Sequence, residues 1–256
     1  MPTSSQEEKV CLITGGGSGV GRAVALDLAG KNCMVVVSGR RKENLIQTVE
    51  LAGKNSSRVV ALPADVTQAE SVQKLFAKTV KEYGRLDFLF NNAGINLAPT
   101  PIEEITLDQW QDIVAVNLTG VFLCMQEAFR IMQRQNPQGG RIVNNGSISA
   151  HVPRPYAVGY NATKHAVTGL TRSGSLEGRQ HNIAVGQIDI GNAETPMSKA
   201  TLAKGSMQAN GEIKEEPTFD VSQVAEAVCY MAGLPLEANV QFMTVMATSM
   251  PYIGRG

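Results

Sequence analysis

The sequence predicts an α/β chain built on a doubly wound parallel β-sheet of about seven strands. Two observations carry this expectation. Short, continuous apolar runs alternate with longer stretches of helical period, and strands that are apolar throughout are those covered on both faces. A glycine-rich turn joins the first apolar run to the first helical stretch, as in a strand–helix unit that folds back on itself.

Residues 1–8 are expected to form a polar N-terminal tail, and residues 9–256 a single domain without linker or repeat. Val10 to Ile13 is the first strand and Gly19 to Leu28 the first helix. Met34 to Val37 and Glu43 to Leu51 repeat the pair, as do Val59 to Leu62 and Ala69 to Tyr83. Leu86 to Phe90 is the fourth strand, followed by one long helix from Leu107 to Arg134. Arg141 to Asn145 is the fifth strand, and a helix over 158–180 follows it. Ile183 to Ile190 is the sixth strand, Val221 to Gly233 a helix, and Phe242 to Met246 the seventh strand.

Composition narrows the function classes. The 256 residues include 23 basic and 23 acidic side chains. The only compact basic run, Arg40-Arg41-Lys42, is too short for a nucleic-acid or anionic-membrane surface. The cysteines at 11, 33, 124 and 229 form no Cys-x-x-Cys pair and no Cys/His metal spacing, so no metal site is expected. Cys11 and Cys33 lie in apolar runs, where a free thiol behaves as a small hydrophobe, and a cytoplasmic location suits free thiols. The first residues lack the apolar core of a signal peptide, and no apolar run is read as reaching the roughly 18 residues that span a bilayer.

The glycine-rich turn reads Thr14-Gly15-Gly16-Gly17-Ser18-Gly19-Val20-Gly21. Glycines let the backbone turn tightly and approach a pyrophosphate, and the free N–H groups opening the next helix favour an anion. The turn is therefore read as the dinucleotide-binding loop of a Rossmann-type fold, with Gly15, Gly17, Ser18, Gly19, Val20 and Gly21 against the cofactor. About 20 residues further on, such folds carry an acidic residue for a ribose 2′-hydroxyl or an arginine for a 2′-phosphate. Here the second strand ends Val37-Ser38-Gly39-Arg40-Arg41, without a carboxylate. A guanidinium fork suits a phosphate, which favours NADP(H) over NAD(H). The competing reading is that Arg40 and Arg41 only begin a solvated helix.

Tyr160 and Lys164 are four residues apart, on one face of the helix over 158–180, and Ser147 lies thirteen residues before the tyrosine. A free phenol titrates near about 10, too high for proton transfer near neutrality, and a neighbouring ammonium favours the phenolate. A serine hydroxyl aimed at the same point holds a carbonyl oxygen. Such a group moves a proton to or from an oxygen on carbon, provided a cofactor moves the hydride. The pair alone is equally a core ring beside a solvated ammonium, and the rest of the chain decides between the two.

Taken together, these residues resemble the short-chain dehydrogenase/reductase family in its single-domain form, over about residues 9 to 248. Thr14, Gly15, Gly19 and Gly21 match the family's Thr-Gly-x-x-x-Gly-x-Gly. Asp65-Val66 matches the pair placed against the adenine, and Asn91-Asn92-Ala93-Gly94 the motif beside the cofactor. Asn117 matches the catalytic asparagine, and Ser147, Tyr160 and Lys164 the catalytic serine and Tyr-x-x-x-Lys. The resemblance implies that Tyr160 is the general acid and base, that Lys164 binds the nicotinamide ribose and favours the phenolate, and that Ser147 holds the substrate oxygen. Asn117 would anchor a water in a proton relay. Cofactor contacts would come from Asp65, Val66, Asn91, Ala93, Gly94, Tyr160 and Lys164. The implied activity is NADP(H)-preferring oxidoreduction of a small-molecule ketone or secondary alcohol. The alternatives are an NAD(H)-linked dehydrogenase and a nucleotide-binding regulatory protein without turnover. Ser149 is the rival to Ser147, but lies eleven residues before Tyr160.

The chain departs from the family pattern near its end. The family follows its sixth strand with Pro-Gly and then a threonine. Read onto Val185-Gly186-Gln187-Ile188-Asp189-Ile190, the proline falls on Val185 and the threonine on Ile190. That leaves Gly186 and the backbone of Ile188 as cofactor contacts, with Asn192 or Thr195 replacing the hydroxyl. The apolar C-terminal residues Met250, Tyr252 and Ile253 are expected to pack on a neighbouring subunit, since the family forms homodimers and homotetramers. The polar stretch at about 191–217 is expected to be a substrate lid that offers Met197, Leu202 and Met207. Arg154 is either an anion contact or a solvated loop side chain, and His151 is similarly open.

Overall fold

The computed structural model describes residues 8–198 and 205–253. Seven parallel strands form its sheet: β1 (Val10–Thr14), β2 (Met34–Gly39), β3 (Val59–Pro63), β4 (Phe88–Asn91), β5 (Gly140–Asn145), β6 (Ile183–Ile190) and the last strand, β9 (Phe242–Val245). The order across the sheet is β3-β2-β1-β4-β5-β6-β9. The winding therefore reverses between β1 and β4, and a crevice opens beyond the carboxyl ends of strands at such a reversal. Residues 1–7 of the expected tail lie outside the described residues.

Helices cover both faces. On one, α1 (Gly19–Gly30) and α7 (Val221–Gly233) bury Val24, Leu28, Val224 and Val228 against Ile13, Val37, Phe90 and Ile188. On the other, α3 (Ala69–Tyr83), α5 (Gly120–Met132) and α6 (Val158–Gly178) bury Phe76, Met125 and Val167 against Leu12, Val36, Leu89 and Val185. α2 (Lys42–Leu51) packs beside β3. Alternate residues of each strand thus supply the two cores, which is why the strands read as unbroken apolar runs. All four cysteines are free and buried. Burial, with Glu127 adding to it, pushes the Cys124 thiol up to about 12.

Three expectations are corrected. The helix expected from Leu107 to Arg134 is α4 (Leu107–Val114), a π-helical turn at Ala115–Thr119, and α5. In the turn, the Gly120 N–H reaches back to the Ala115 carbonyl, an inserted residue that swings Asn117 inward. The whole run, Leu107–Met132, is also long and apolar enough by length and composition to cross a membrane, contrary to the reading of the sequence. Here its buried residues Val121, Cys124, Met125, Ala128 and Met132 pack on the sheet.

The third correction concerns the C-terminus. Met250 is buried in its own chain against Ile148 and Ala247, and Tyr252 packs on the same cluster with Phe219 and Met246. The segment after β9 turns back under the loop that follows β5, so these side chains find apolar cover without a second subunit. Ile253, at 89% exposure, does not. In the expected lid, β7 (Ser206–Met207) and β8 (Ile213–Lys214) pair as a short antiparallel hairpin, and Leu202 lies outside the described residues.

Candidate active site

A cavity of about 620 Å³ lies at the reversal between β1 and β4. Its walls include Gly15, Gly17, Ser18, Gly19 and Val20 of the glycine loop, Arg40 and Arg41, Asp65 and Val66, and Ala93 and Gly94. Asn145, Tyr160 and Lys164 close the inner end, and Thr195, Pro196 and Met197 form the opposite rim.

The glycine loop is held from two sides. Gly15 adopts φ +67°, a conformation that side chains resist. The Asn92 amide donates to the carbonyls of Thr14 (2.9 Å) and Gly15 (3.3 Å), while the Thr14 hydroxyl accepts from the N–H groups of Asn92 and Ala93, each at 3.0 Å. From α2, Thr48 donates to the Gly16 carbonyl at 2.9 Å, and Arg22 bridges the Gly17 carbonyl (2.5 Å) to Gln47 (2.8 Å). Gly21 lies beneath the loop and does not line the cavity. A Cβ there would stand 2.4 Å from the Gly15 carbonyl oxygen, so its smallness shapes the turn rather than the cavity wall.

The donor set suits a dinucleotide phosphate chain. The first turn of α1 carries no acidic residue, leaving its N–H groups open to an anion. Arg40 and Arg41 are exposed at the end of the cavity reached from β2. Asp65 uses one carboxylate oxygen to accept from the Thr67 N–H (3.0 Å) and hydroxyl (2.8 Å).

At the inner end, Lys164 is buried and donates to the Asn145 carbonyl at 2.7 Å. Its ammonium stands 5.5 Å from the centre of the Tyr160 ring, as the one-turn spacing on α6 requires. The Asn145 amide in turn donates to the Asn92 side chain at 2.9 Å, so the lysine and the glycine loop share one polar frame. Asn117, brought inward by the π turn, pairs with both backbone groups of Ile95: it accepts at 2.8 Å and donates at 2.9 Å. It thereby fixes the loop that carries Ala93 and Gly94. Ser147 opens the short turn after β5. Its Oγ accepts from the Ser149 N–H at 3.1 Å, and its own N–H donates to Asp189 Oδ1 at 3.0 Å. Both Ser147 and Asn117 lie behind the cavity surface.

Three further cofactor candidates do not line the cavity. Asn91 is buried within β4 and donates to Asn144 at 2.9 Å, while its neighbour Asn92, the first residue past the strand, meets the cavity. Gly186 and Ile188 are buried inside β6, where Gly186 admits the Val240 carbonyl in a close crossing. β6 runs to Ile190, so the pair at its end is Ile190-Gly191 and the following threonine is Thr195, which does reach the rim. The earlier placement stopped short inside the strand. A cofactor sits beyond strand ends, not among their interiors.

Arg154 is partly buried and already paired with an acid. Its guanidinium donates to buried Glu216 at 2.5 Å and to Asn192 at 3.1 Å. Asn192 and Gln208 also donate to Glu216, at 2.9 and 3.0 Å. His151 meets the buried carboxylate of Asp189 through Nε2 at 2.8 Å. Neither acid was singled out by the sequence, because each is an isolated carboxylate far along the chain from its partner.

Comparison with known proteins agrees with this geometry. A family described as short chain dehydrogenase matches residues 9–205. Levodione reductase of Leifsonia aquatica is 35% identical over 261 residues, spanning 99% of this chain and 96% of its own length. The structure is similar to an actinorhodin polyketide ketoreductase solved with NADPH, at a TM-score of 0.85 and 28% identity over 95% of this chain and 98% of that one. It is similar also to a 3-ketoacyl-(acyl-carrier-protein) reductase from Brucella melitensis solved with NADH, at a TM-score of 0.83 and 28% identity over 94% and 98%. With its sheet order, its phosphate-ready loop and the family match over most of its length, the chain belongs to the short-chain dehydrogenase family of oxidoreductases.

Proposed function

We propose that the protein transfers a hydride between NADP(H), in preference to NAD(H), and a ketone or secondary alcohol, with Tyr160 as general acid and base. The observation that carries this reading is the buried Lys164 ammonium 5.5 Å from the Tyr160 ring, in the same cavity as the glycine loop. The bound nicotinamide supplies or accepts the hydride. The protein does the rest. Ser147 holds the substrate oxygen, and Tyr160 gives it a proton in reduction or takes one in oxidation. Lys164 holds the ribose and favours the phenolate, and Asn117 maintains the wall through which a relay water reaches the lysine. The preference for NADP(H) rests on Arg40 and Arg41, exposed at the adenosine end without a competing carboxylate at the end of β2. The segment at about 191–217 acts as the lid, and the protein works in the cytoplasm as a homodimer or homotetramer.

Tyr160→Phe keeps the ring and removes the exchangeable proton. The variant is expected to fold, to bind NADPH as tightly as the parent by fluorescence titration, and to reduce carbonyl substrates at least about 10²-fold more slowly, the low end for lost acid–base catalysis. Turnover close to the parent's ends the assignment. Titrating NADPH against NADH on the free protein tests the preference, and tighter NADH binding reverses it.

A further inference from the structure

β6 is buried throughout, yet it carries two polar side chains, Gln187 and Asp189. Two residues apart, they face the same side of the sheet. The Gln187 amide is fully paired. Its Nε2 donates to Asp189 Oδ1 at 2.7 Å and to the Thr168 hydroxyl at 3.0 Å, and its Oε1 accepts from the Thr171 hydroxyl at 2.9 Å. A carboxylate only accepts, so Nε2 is the atom that must face it. The same direction runs back through the core: Asn91 donates to Asn144, Asn144 to Thr171, Thr171 to Gln187, and Gln187 to Asp189. Hydrogen bonds aligned in this way strengthen one another, and a buried member left without its partner is costly.

Gln187 stands where two parts of the site meet. Thr168 lies one turn after Lys164 on α6, and Thr171 follows it, so the amide grips the helix that carries Tyr160 and Lys164. On its other side is the turn that carries Ser147. Asp189 Oδ1, which takes the Gln187 amide, also accepts from the Ser147 N–H at 3.0 Å. The amide packs on the turn directly as well: a Cβ on Gly146 would overlap Asp189 Oδ1 and stand 2.7 Å from Gln187 Nε2. Gln187 itself does not line the cavity.

We infer that Gln187 is a positioning residue for the reaction. It ties α6, with Tyr160 and Lys164, to the turn bearing Ser147, and so sets the separation between the proton donor and the hydroxyl that holds the substrate oxygen. This role rests on the reductase reading above. Gln187 acts through Ser147, and its loss is felt only while the serine hydroxyl is there to be placed.

The test is a double-mutant cycle on NADPH-dependent reduction of a carbonyl substrate, with NADPH affinity and chemical denaturation measured for each variant. Gln187→Met keeps the volume and removes the amide. It is expected to lower kcat about tenfold, with NADPH affinity within about twofold of the parent. Ser147→Ala is expected to lower kcat at least about 10²-fold, as for a lost donor to the reacting oxygen. In the Ser147→Ala background, Gln187→Met is expected to change kcat by less than about twofold, because the two act as one unit. Arg141→Met removes buried hydrogen bonds at the opposite end of β5 and is the control for lost stability, with kcat expected within about twofold of the parent. If Gln187→Met fails to fold, Thr168→Val takes its place, with an expected loss of about threefold and the same dependence on Ser147. A loss that persists undiminished in Ser147→Ala overturns the positioning role, as does unaltered kcat in Gln187→Met. An equal loss in Arg141→Met assigns the effect to general loosening and overturns it too. Slow turnover in Tyr160→Phe and Ser147→Ala with any of these results defeats this inference alone, whereas normal turnover in both defeats the parent reading.

Discussion

The two sides of the cavity are held by different forces. Around the glycine loop the fixing groups are mostly neutral: side-chain amides and hydroxyls of Asn92, Thr14 and Thr48 on backbone carbonyls and N–H groups, plus glycines that permit close approach. Around the loop after β5 and the stretch at 205–217 they are buried carboxylates whose partners are distant in sequence: Glu216 with Arg154, 62 residues apart, and Asp189 with His151, 38 residues apart. Neutral contacts suit a wall that must accept the same anionic ligand in every turnover. Buried acids with dedicated partners suit a wall whose shape has to be specified.

That contrast can be broken at its joint. Lys164 belongs to both sides, through the Asn145 carbonyl and the Tyr160 ring. If one ammonium serves ribose and phenol as proposed, Lys164→Met lowers kcat/KM by about 10² or more and weakens NADPH binding as well. A variant that loses rate but keeps full affinity would assign the lysine to the substrate side alone. On the cofactor side, Gly21→Ala forces a methyl against the Gly15 carbonyl and the Asn92 amide. It is expected to cost about 2–3 kcal/mol of stability in chemical denaturation and about 30-fold in NADPH affinity, the range of overpacking at a tight site. Replacing Arg40 and Arg41 together by alanine should weaken NADPH about tenfold and leave NADH within about twofold, read by fluorescence titration.

The smallest effect is expected at Glu216, in the stretch proposed as the lid. Burial by itself would raise the Glu216 carboxyl, but hydrogen bonds from Arg154, Gln208 and Asn192 outweigh it and hold the group below the usual carboxylate range. A depressed carboxyl stabilises the fold fully above its ordinary value, about 4.3, and loses that contribution as pH falls through the lower folded value. Glu216→Gln is therefore expected to cost about 1 kcal/mol at pH 7 in thermal melts, and the gap to the parent should close below about pH 4. A gap that stays constant down to pH 3 would mean that the ionised Glu216 does not stabilise the fold through its partners.

Much of the cofactor side was legible because its signals are local. The glycine run, the strand end at Arg40 and the Tyr160–Lys164 spacing each fall within a few residues, and periodicity located α3, α7 and β6 at their observed bounds. Where the reading slipped, the cause was positional. Asn91 and Asn92 differ only in which one lies past the strand, and Gly186 was taken for the glycine that follows β6 because Ile190-Gly191 lacks the family's proline. The π turn left no mark, since the run from Leu107 is of helical period throughout. Glu216 and Asp189 were invisible for a different reason: a lone acid acquires meaning only when the fold brings up its partner.

Gly146 and Asp189 also constrain the order in which this site can change. Any side chain at 146 meets the carboxylate at once, so that position is closed to variation for as long as the acid remains. Shortening the acid does not by itself open 146, because the Gln187 amide would still stand 2.7 Å from a Cβ there. A side chain at 146 therefore needs both Asp189 and Gln187 to give way, and the two are themselves joined by a 2.7 Å hydrogen bond.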